Sequence, residues 1–341
     1  MGPDQNRFDL LRLVFATGVF LYHGVALAAL DMDGVWEARL GQMAELCIQG
    51  FFIVSGALVY GSWERSRGLS DYLGKRVRRL YPAYLVVIVC PALVSLAASS
   101  DLASVGRYLA ANSVFLNFLE PNLPGLFEGN RFSEVNGALW TLKIEVMFYL
   151  SLPLIAFVLT RLRQFWWLCL LALYLGGVAW ALSLPILVEG GMGERLARQL
   201  PGQMAYFASG MALWKLWDVA RSRPIQVACL GAGLLAASLF IQYGEVVRAA
   251  GLALFIAGLA FLPGPHLNAA RWGDVSYGVY IVHFPVLQAM VALGVFASLG
   301  VGAALVLAFI LVFGLSFILW WCVEKPALRA DSHYRRATEK D

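Results

Sequence analysis

The feature that most constrains this chain is a succession of apolar runs of about 18 residues or more, separated by short polar stretches. A helical run of that length matches a bilayer hydrocarbon core of about 30 Å. Inside lipid every backbone N–H and C=O needs a partner within the protein, so such runs fold as helices. Ten spans are expected, over residues 8–30, 42–62, 78–99, 139–159, 165–184, 199–218, 224–242, 246–263, 273–297 and 299–323. Residues 103–119 are apolar but short and contain Asn112 and Asn117, which suits a re-entrant or interfacial segment. Composition agrees: 60% of residues are hydrophobic and 14% charged, against about 45–50% and about 25% in soluble domains. The expected fold class is all-α, a polytopic membrane bundle of about ten transmembrane helices. It forms one domain, 1–341, with spans over 8–323 and a tail over 324–341. No internal repeat or linker divides it.

Charge placement orients the bundle. With the N-terminus in the cytoplasm, one side collects Arg7, Arg12, Arg65, Arg67, Lys75, Arg76, Arg78 and Arg79. The same side holds Arg161, Arg163, Lys215, Arg221, Arg223, Arg271 and the basic tail from Lys325 to Lys340. The opposite side has only Arg39, Arg107, Arg131, Arg195, Arg198 and Arg248. The positive-inside rule then puts both termini in the cytoplasm. The net charge of +4 is spread over loops, with no basic face for nucleic acid. The exterior stretch 100–138, with Asp101, Glu120, Glu128 and Glu134, is the longest outside loop. Arg7, Arg12, the first apolar run and Ala26-Leu27-Ala28 mimic a signal peptide that would leave Ala29 first. The length of the run and Asp9 within it favour a retained span.

Ionisable side chains inside lipid are costly and face a protein interior or a wet cavity. Arg12 and His23 lie eleven positions apart. At about 100° per residue that is three turns plus about 20°, which places both on one helix face, about 16 Å apart along the axis. Asp9, three residues before Arg12, can pair with it. The five cysteines, Cys47, Cys90, Cys169, Cys229 and Cys322, are scattered through apolar stretches without CxxC spacing. They read as buried small apolar residues, and no metal site is expected.

Several local stretches together resemble the acyltransferase 3 family of integral-membrane acyltransferases. Arg12 followed by ten residues and His23 matches its RX10H pattern, and Phe51-Phe52-Ile53-Val54-Ser55-Gly56 is similar to FFxxSG. Arg76-Val77-Arg78-Arg79-Leu80-Tyr81-Pro82 is like RxxRxxP, and Trp140 through Glu145 to Phe148-Tyr149 is like WxLxxExxFY. Ser276-Tyr277, Tyr280, His283 and Pro285 are like SYxxYxxHxP, with Val323-Glu324-Lys325-Pro326 closing the chain. The set spans nearly the whole length in order. Ile48-Gln49, before Gly50, departs from the Gly-Val-Asp that the family often has there.

The resemblance implies an O-acyltransferase of the bacterial cytoplasmic (inner) membrane that moves an acyl group, acetyl above all, from acyl-CoA to a carbohydrate hydroxyl. It implies His23 as general base or acyl relay, since an imidazole titrates near about 6.5. Arg12, with Asp9, would orient the catalytic group or meet coenzyme A phosphates. Arg76, Arg78, Arg79 and Tyr81 would bind the donor, at a helix start with Pro82 in its first turn. Glu145 and Trp140 would hold the acceptor sugar, Glu145 by its carboxylate and Trp140 by stacking. Glu145 would alternatively orient His23 or neutralise Lys143. Tyr277 and His283 would line the same site, with structural hydrogen bonding as the rival role for His283. Expected partners are membrane lipid and a carbohydrate or lipid-linked glycan acceptor. A homo-oligomer and polysaccharide-export machinery are open alternatives. His266 and His333 sit in loops and carry no assigned role. The competing reading is a proton-coupled secondary transporter using Arg12, His23, Glu145 and His283, which would show inverted repeats. A non-catalytic scaffold in an export complex is a third.

Overall fold

A computed structural model describes residues 6–30, 34–264, 273–329 and Ser332. His266, Arg271, His333 and the tail cations Arg335, Arg336 and Lys340 lie outside the described residues. Among the described residues there are helices and loops but no strand. In chain order the α-helices are α1 Phe8–Leu27, α2 Val35–Glu64, α3 Leu69–Ser99, α4 Leu102–Ser113 and α5 Trp140–Leu162. Then follow α6 Trp166–Leu187, α7 Gly191–Ala197, α8 Leu200–Lys215, α9 Trp217–Ser222 and α10 Pro224–Ser238. The last are α11 Glu245–Phe261, α12 Ser276–Ala292, α13 Val295–Leu299, α14 Val301–Leu319 and α15 Lys325–Ala327.

The apolar intervals named from the sequence are largely helical, but 199–218 is split between α8 and α9, and 273–297 between α12 and α13 at Gly294. Five helical stretches are long and apolar enough to cross a bilayer, and α10 and α12 are shorter apolar helices. One of the five, Gly137–Leu187, is 51 residues long, about 75 Å if straight. The tight turn Arg163–Phe165, where Arg163 takes φ 49°, divides it into α5 and α6. Leu150, Leu154 and Phe157 of α5 and Val306, Ile310 and Ile318 of α14 are exposed at helical spacing. Apolar side chains turned outward in this pattern suit contact with lipid tails.

The third helix departs from expectation. It begins at Leu69, so Pro82 lies inside it and not in its first turn. The basic stretch Lys75–Arg79 therefore projects from a helix interior, and the argument from a helix N-terminus falls away for it. The segment near 103–119 forms α4 and an irregular return. The Asp101 carboxylate caps α4 by accepting from the Ser104 amide at 3.0 Å. Hydrogen bonds from Ser104 hold Asp101 below the usual carboxylate range. All five cysteines are unpaired; Cys47 is buried, while Cys90, Cys229 and Cys322 are exposed, contrary to a uniformly buried reading.

The helices gather into two compact units. The first comprises Met1–Arg12, Ile48–Leu73 and Ile144–Asn268. In it Phe148 stacks on Phe207 at 4.0 Å between centroids and meets Phe52 edge-on at 5.4 Å. Helices α2 and α8 touch through Gly56 and Gly210: a Cβ on Gly56 would collide with the Phe207 carbonyl and lie 3.1 Å from the Gly210 Cα. Small residues allow the backbone approach that packs helices in lipid. Gly56→Leu is expected to cost about 1–3 kcal/mol by overpacking, seen as a lower unfolding midpoint in detergent. One end of this unit holds a cavity of about 250 Å³ lined by Tyr60, Trp63, Glu64, Arg163, Trp166 and Lys215. The Glu64 carboxylate there accepts from Lys215 Nζ at 2.8 Å and Trp214 Nε1 at 2.7 Å.

The second unit comprises Leu13–Cys47, Gly74–Lys143 and Ala269–Asp341. Its centre is α12, buried on almost every side from Ser276 to Phe284. Gly278 packs against Ser316 of α14, where an added Cβ would be 2.9 Å from the Ser316 Cβ. The long loop between α4 and α5 packs onto α12 through Asn130, Phe132, Glu134 and Asn136.

Candidate functional site

Helix α1 opens with Asn6, whose side-chain oxygen accepts from the Phe8 amide at 3.1 Å, and with Asp9 in its first turn. It then runs unbroken to Leu27, so Arg12 and His23 share one continuous helix. In the first unit Arg12 Nη1 lies 3.9 Å from Asp9 Oδ1, the pair anticipated from their spacing. In the second unit His23 Nδ1 lies 2.9 Å from Nε2 of His283 on α12. The other nitrogen of His283, Nδ1, lies 3.0 Å from the Val279 carbonyl one turn earlier. The imidazoles overlap with centroids 5.0 Å apart and planes at 28°. Phe284 abuts His23 edge-on at 5.1 Å, and Phe20 and Tyr280 flank His283 at 6.4 Å and 5.9 Å. His283 is fully buried, while His23 is half-buried.

Side-chain hydrogen bonds set the position of α12. Asn136 donates to the Ile281 carbonyl at 2.8 Å, and the Thr141 and Tyr280 hydroxyls meet at 2.6 Å. The buried Gln288 donates to the carbonyls of Phe132 at 2.7 Å and Glu134 at 2.8 Å, and its oxygen accepts from Asn130 at 2.7 Å. The loop between α4 and α5 is thereby seated on the helix that carries His283. At its other edge Arg131 bonds the Ala26 carbonyl at 3.0 Å and Glu37 at 2.8 Å, and Glu37 raises the pKa of that guanidinium.

A second cluster lies where α12 begins. Arg79 of α3 pairs with Asp274 through Nη2 and with Glu324 through Nη1, all three side chains being buried. The Tyr277 and Trp320 rings flank the guanidinium at 5.4 Å and 5.9 Å. Ser276 donates to the other Asp274 oxygen at 2.6 Å, and the Tyr277 hydroxyl donates to the Leu80 carbonyl at 2.9 Å. The residues anticipated as donor ligands thus divide. Arg79 has both edges held by carboxylates, and the Tyr81 hydroxyl donates to the Ser113 carbonyl at 3.1 Å. Arg76 is half-buried and Arg78 exposed.

Glu145 belongs to the first unit. Its Oε1 accepts from the Tyr149 hydroxyl one turn along α5 and from Ser55 Oγ at 3.4 Å. Tyr149 is in turn held through its carbonyl by the Tyr72 hydroxyl at 3.1 Å. The FFxxSG serine and the WxLxxExxFY glutamate and tyrosine therefore meet around one carboxylate. In the second unit Lys143 points its ammonium over the Phe118 ring at 4.7 Å, and Trp140 is half-buried at the start of α5.

Sequence reasoning gave Asp274, Glu324, Ser55 and Gln288 no role. For Glu324 and Gln288 a signal was present, since each is a polar residue in or beside a long apolar run. Asp274, at the edge of the interval 273–297, and Ser55, within the FFxxSG stretch, were also marked, but neither position reports its partner. Among the described residues no group of three His, Cys, Asp or Glu side chains could hold a metal ion.

Comparison with known proteins adds an independent line. The acyltransferase 3 family model, described as an acyltransferase domain, matches residues 5–324. The chain is 28% identical to nodulation protein 10 of Rhizobium leguminosarum, over 96% of both chains. It is 24% identical to an O-acetyl transferase of Shigella phage Sf6, over 96% of this chain and 97% of the relative. It is 27% identical to a peptidoglycan O-acetyltransferase of Listeria monocytogenes, over 70% of this chain and 44% of that one. No solved structure matches the chain.

Proposed function

From the premise that this chain belongs to the acyltransferase 3 family and is an O-acyltransferase, we propose that it draws an acyl group, acetyl above all, from cytoplasmic acyl-CoA. The acceptor is a hydroxyl of a cell-envelope or exported carbohydrate, and His23 is the general base. One observation carries the reading: a half-buried imidazole in an apolar helix, with its Nδ1 held at 2.9 Å by a second, fully buried imidazole. A histidine fixed in that way has one nitrogen left to work on a substrate.

The chemistry needs little else from the protein. The acceptor hydroxyl gives its proton to His23 as its oxygen bonds the thioester carbonyl carbon. The C–S bond then breaks, the thiolate takes the proton from His23, and free thiol leaves with the ester formed. Arg76 and Arg78 supply guanidinium forks for the donor phosphates, while Arg79 is given to its two carboxylates. Arg12, steadied by Asp9, serves the donor side. Glu145, Tyr277 and Trp140 serve the acceptor, a sugar whose hydroxyls suit a carboxylate and whose face suits an indole. The word peptidoglycan in the name of the Listeria relative supports a carbohydrate acceptor. The transporter reading has no feature of this structure in its favour.

We place the chain in a bacterial cytoplasmic membrane as one domain with ten crossings and both termini inside. In support, the first unit brings Glu64, Arg163 and Lys215, from three stretches assigned to the cytoplasmic side by charge, to one cavity.

Purified protein in lipid nanodiscs is expected to release thiol from acetyl-CoA when an acceptor glycan is present. Absence of release with every acyl-CoA and envelope glycan tried would overturn the reading. Replacing Arg76 and Arg78 together by Gln is expected to weaken acyl-CoA binding by about tenfold or more, from loss of charge-assisted bonds worth about 1.5–3 kcal/mol each. Equilibrium binding of radiolabelled acetyl-CoA checks this, and unchanged affinity removes both residues from the donor site.

A further inference from the structure

We infer that His283 is a positioning residue that locks the tautomer of His23, leaving Nε2 of His23 as the nitrogen that takes the acceptor proton. The inference rests on the proposed acyl transfer and names the atom that performs it.

A neutral imidazole has one N–H and one bare nitrogen. His283 is fully buried among the rings of Phe20, Tyr280 and Phe284, a setting that favours the neutral form over a buried charge. Its Nδ1 faces the Val279 carbonyl at 3.0 Å, and a carbonyl can only accept. The proton of His283 is therefore on Nδ1, and its Nε2 is a bare acceptor. That acceptor faces His23 Nδ1 at 2.9 Å. Two bare nitrogens at that distance would repel, so His23 Nδ1 carries the proton. Nε2 of His23 is then the bare nitrogen, with the Val279 carbonyl setting the direction at His283 and the Val19 carbonyl also accepting from the His23 ring.

The arrangement also accounts for proton balance. When Nε2 accepts the hydroxyl proton, His23 becomes an imidazolium whose Nδ1–H already points at a lone pair. Sharing that proton with His283 Nε2 spreads the charge over two rings, and its return restores the starting tautomers as the thiolate is protonated. No proton is gained or lost across the cycle, and no third group is required. The same geometry explains the seating of α12: Asn136, Thr141 and Gln288 fix the helix on which His283 stands, so the 2.9 Å contact is set by rigid elements.

Four histidines in the chain make nitrogen NMR on 15N-histidine-labelled protein in nanodiscs a direct test. The expected spectrum of the wild type shows His23 with a protonated Nδ1 and a bare Nε2. It also shows a coupling across the hydrogen bond from His23 Nδ1 to His283 Nε2. His283→Gln, which keeps an acceptor oxygen, is expected to retain the His23 tautomer and more activity than His283→Leu. His283→Leu is expected to lose roughly 10²- to 10⁴-fold in kcat, the range of an acid–base contribution, with the donor KM nearly unchanged. A bare Nδ1 on His23, or a proton found on His283 Nε2, overturns the inference. So does equal activity of the Leu variant and the wild type. The spectrum is read without turnover. A protein with the expected tautomers but no thiol release would sink the proposed function alone. One that releases thiol with the opposite tautomers would sink the inference alone.

Discussion

His23→Ala is expected to lower acyl transfer by about 10²- to 10⁴-fold, the usual worth of a positioned acid–base group, and to leave the bundle folded. The two halves of this expectation have separate grounds. Alanine is the best helix former, and α1 reaches its neighbours through Phe20, Gly18 and Gly24 as well as through His23. Loss of the imidazole therefore removes the hydrogen bond at 2.9 Å and the ring contacts with Tyr22, His283 and Phe284 from a helix with many other anchors. It also leaves His283 Nε2 without its partner, a cost of about 1–3 kcal/mol for a buried acceptor. Thiol release under saturating acetyl-CoA, measured beside size-exclusion behaviour and unfolding midpoint, checks both halves. Wild-type turnover in a folded His23→Ala protein removes His23 from the reaction.

The largest effect on stability is expected at Arg79. Replacing it with Met leaves Asp274 and Glu324, both almost wholly buried, facing one another without their shared cation. Breaking a buried ion pair from one side costs about 3–5 kcal/mol, because the remaining charge is buried and uncompensated. Neutralising the partners should recover much of that cost. The triple variant Arg79→Met, Asp274→Asn, Glu324→Gln is expected to unfold at a higher temperature than Arg79→Met alone. Thermal unfolding in a single detergent gives the comparison. Equal midpoints for Arg79→Met and wild type would show that the cluster contributes little and that Arg79 is available for another role. Arg79→Lys is expected to fall between, since an ammonium cannot hold two carboxylates on separate edges of a planar fork.

Both expectations bear on helix α12. Asp274 precedes α12 and His283 lies two turns into it. A variant that loosens the Arg79 cluster should therefore lower turnover through a large loss of stability, whereas His23→Ala should lower turnover far beyond its smaller effect on stability. The contrast separates a reacting group from a group that holds the scaffold.

Much of the helical content is legible because lipid leaves few options: an apolar run without turn residues becomes a helix, although 199–218 and 273–297 each divide into two helices. Boundaries were less legible. The start of α3 was missed because Ser70, Asp71, Lys75 and Arg76 look like loop residues, although they form the polar opening of a helix that emerges from the apolar region. Pro82 reinforced that error, since proline usually marks a first turn, while here it lies well inside α3. The turn between α5 and α6 was read correctly from Arg161 and Arg163, cations that a span excludes.

The sequence names candidate site residues but not their partnerships. The spacing of Arg12 and His23 fixes their relation on one helix, and α1 keeps it. Which residues would meet across helices was not available from spacing. Pairing of His23 with His283, or of Ser55 with Glu145, joins positions far apart in sequence, and no local period reports such contacts. The carboxylates that hold Arg79 were hidden for the same reason. A buried arginine demands counter-charge, yet a reading based on basic clusters assigned it to phosphate instead.

The central claim is that His23 stands where the acyl group changes hands, and a cryo-electron microscopy map in nanodiscs with a non-reactive thioether analogue of acetyl-CoA tests it most directly. The account predicts density for the analogue reaching His23, with its carbonyl close enough to Nε2 to admit a hydroxyl between them, within the about 3–3.5 Å separations of reacting atoms. Density that ends away from His23, or an imidazole of His23 turned to lipid, would contradict it.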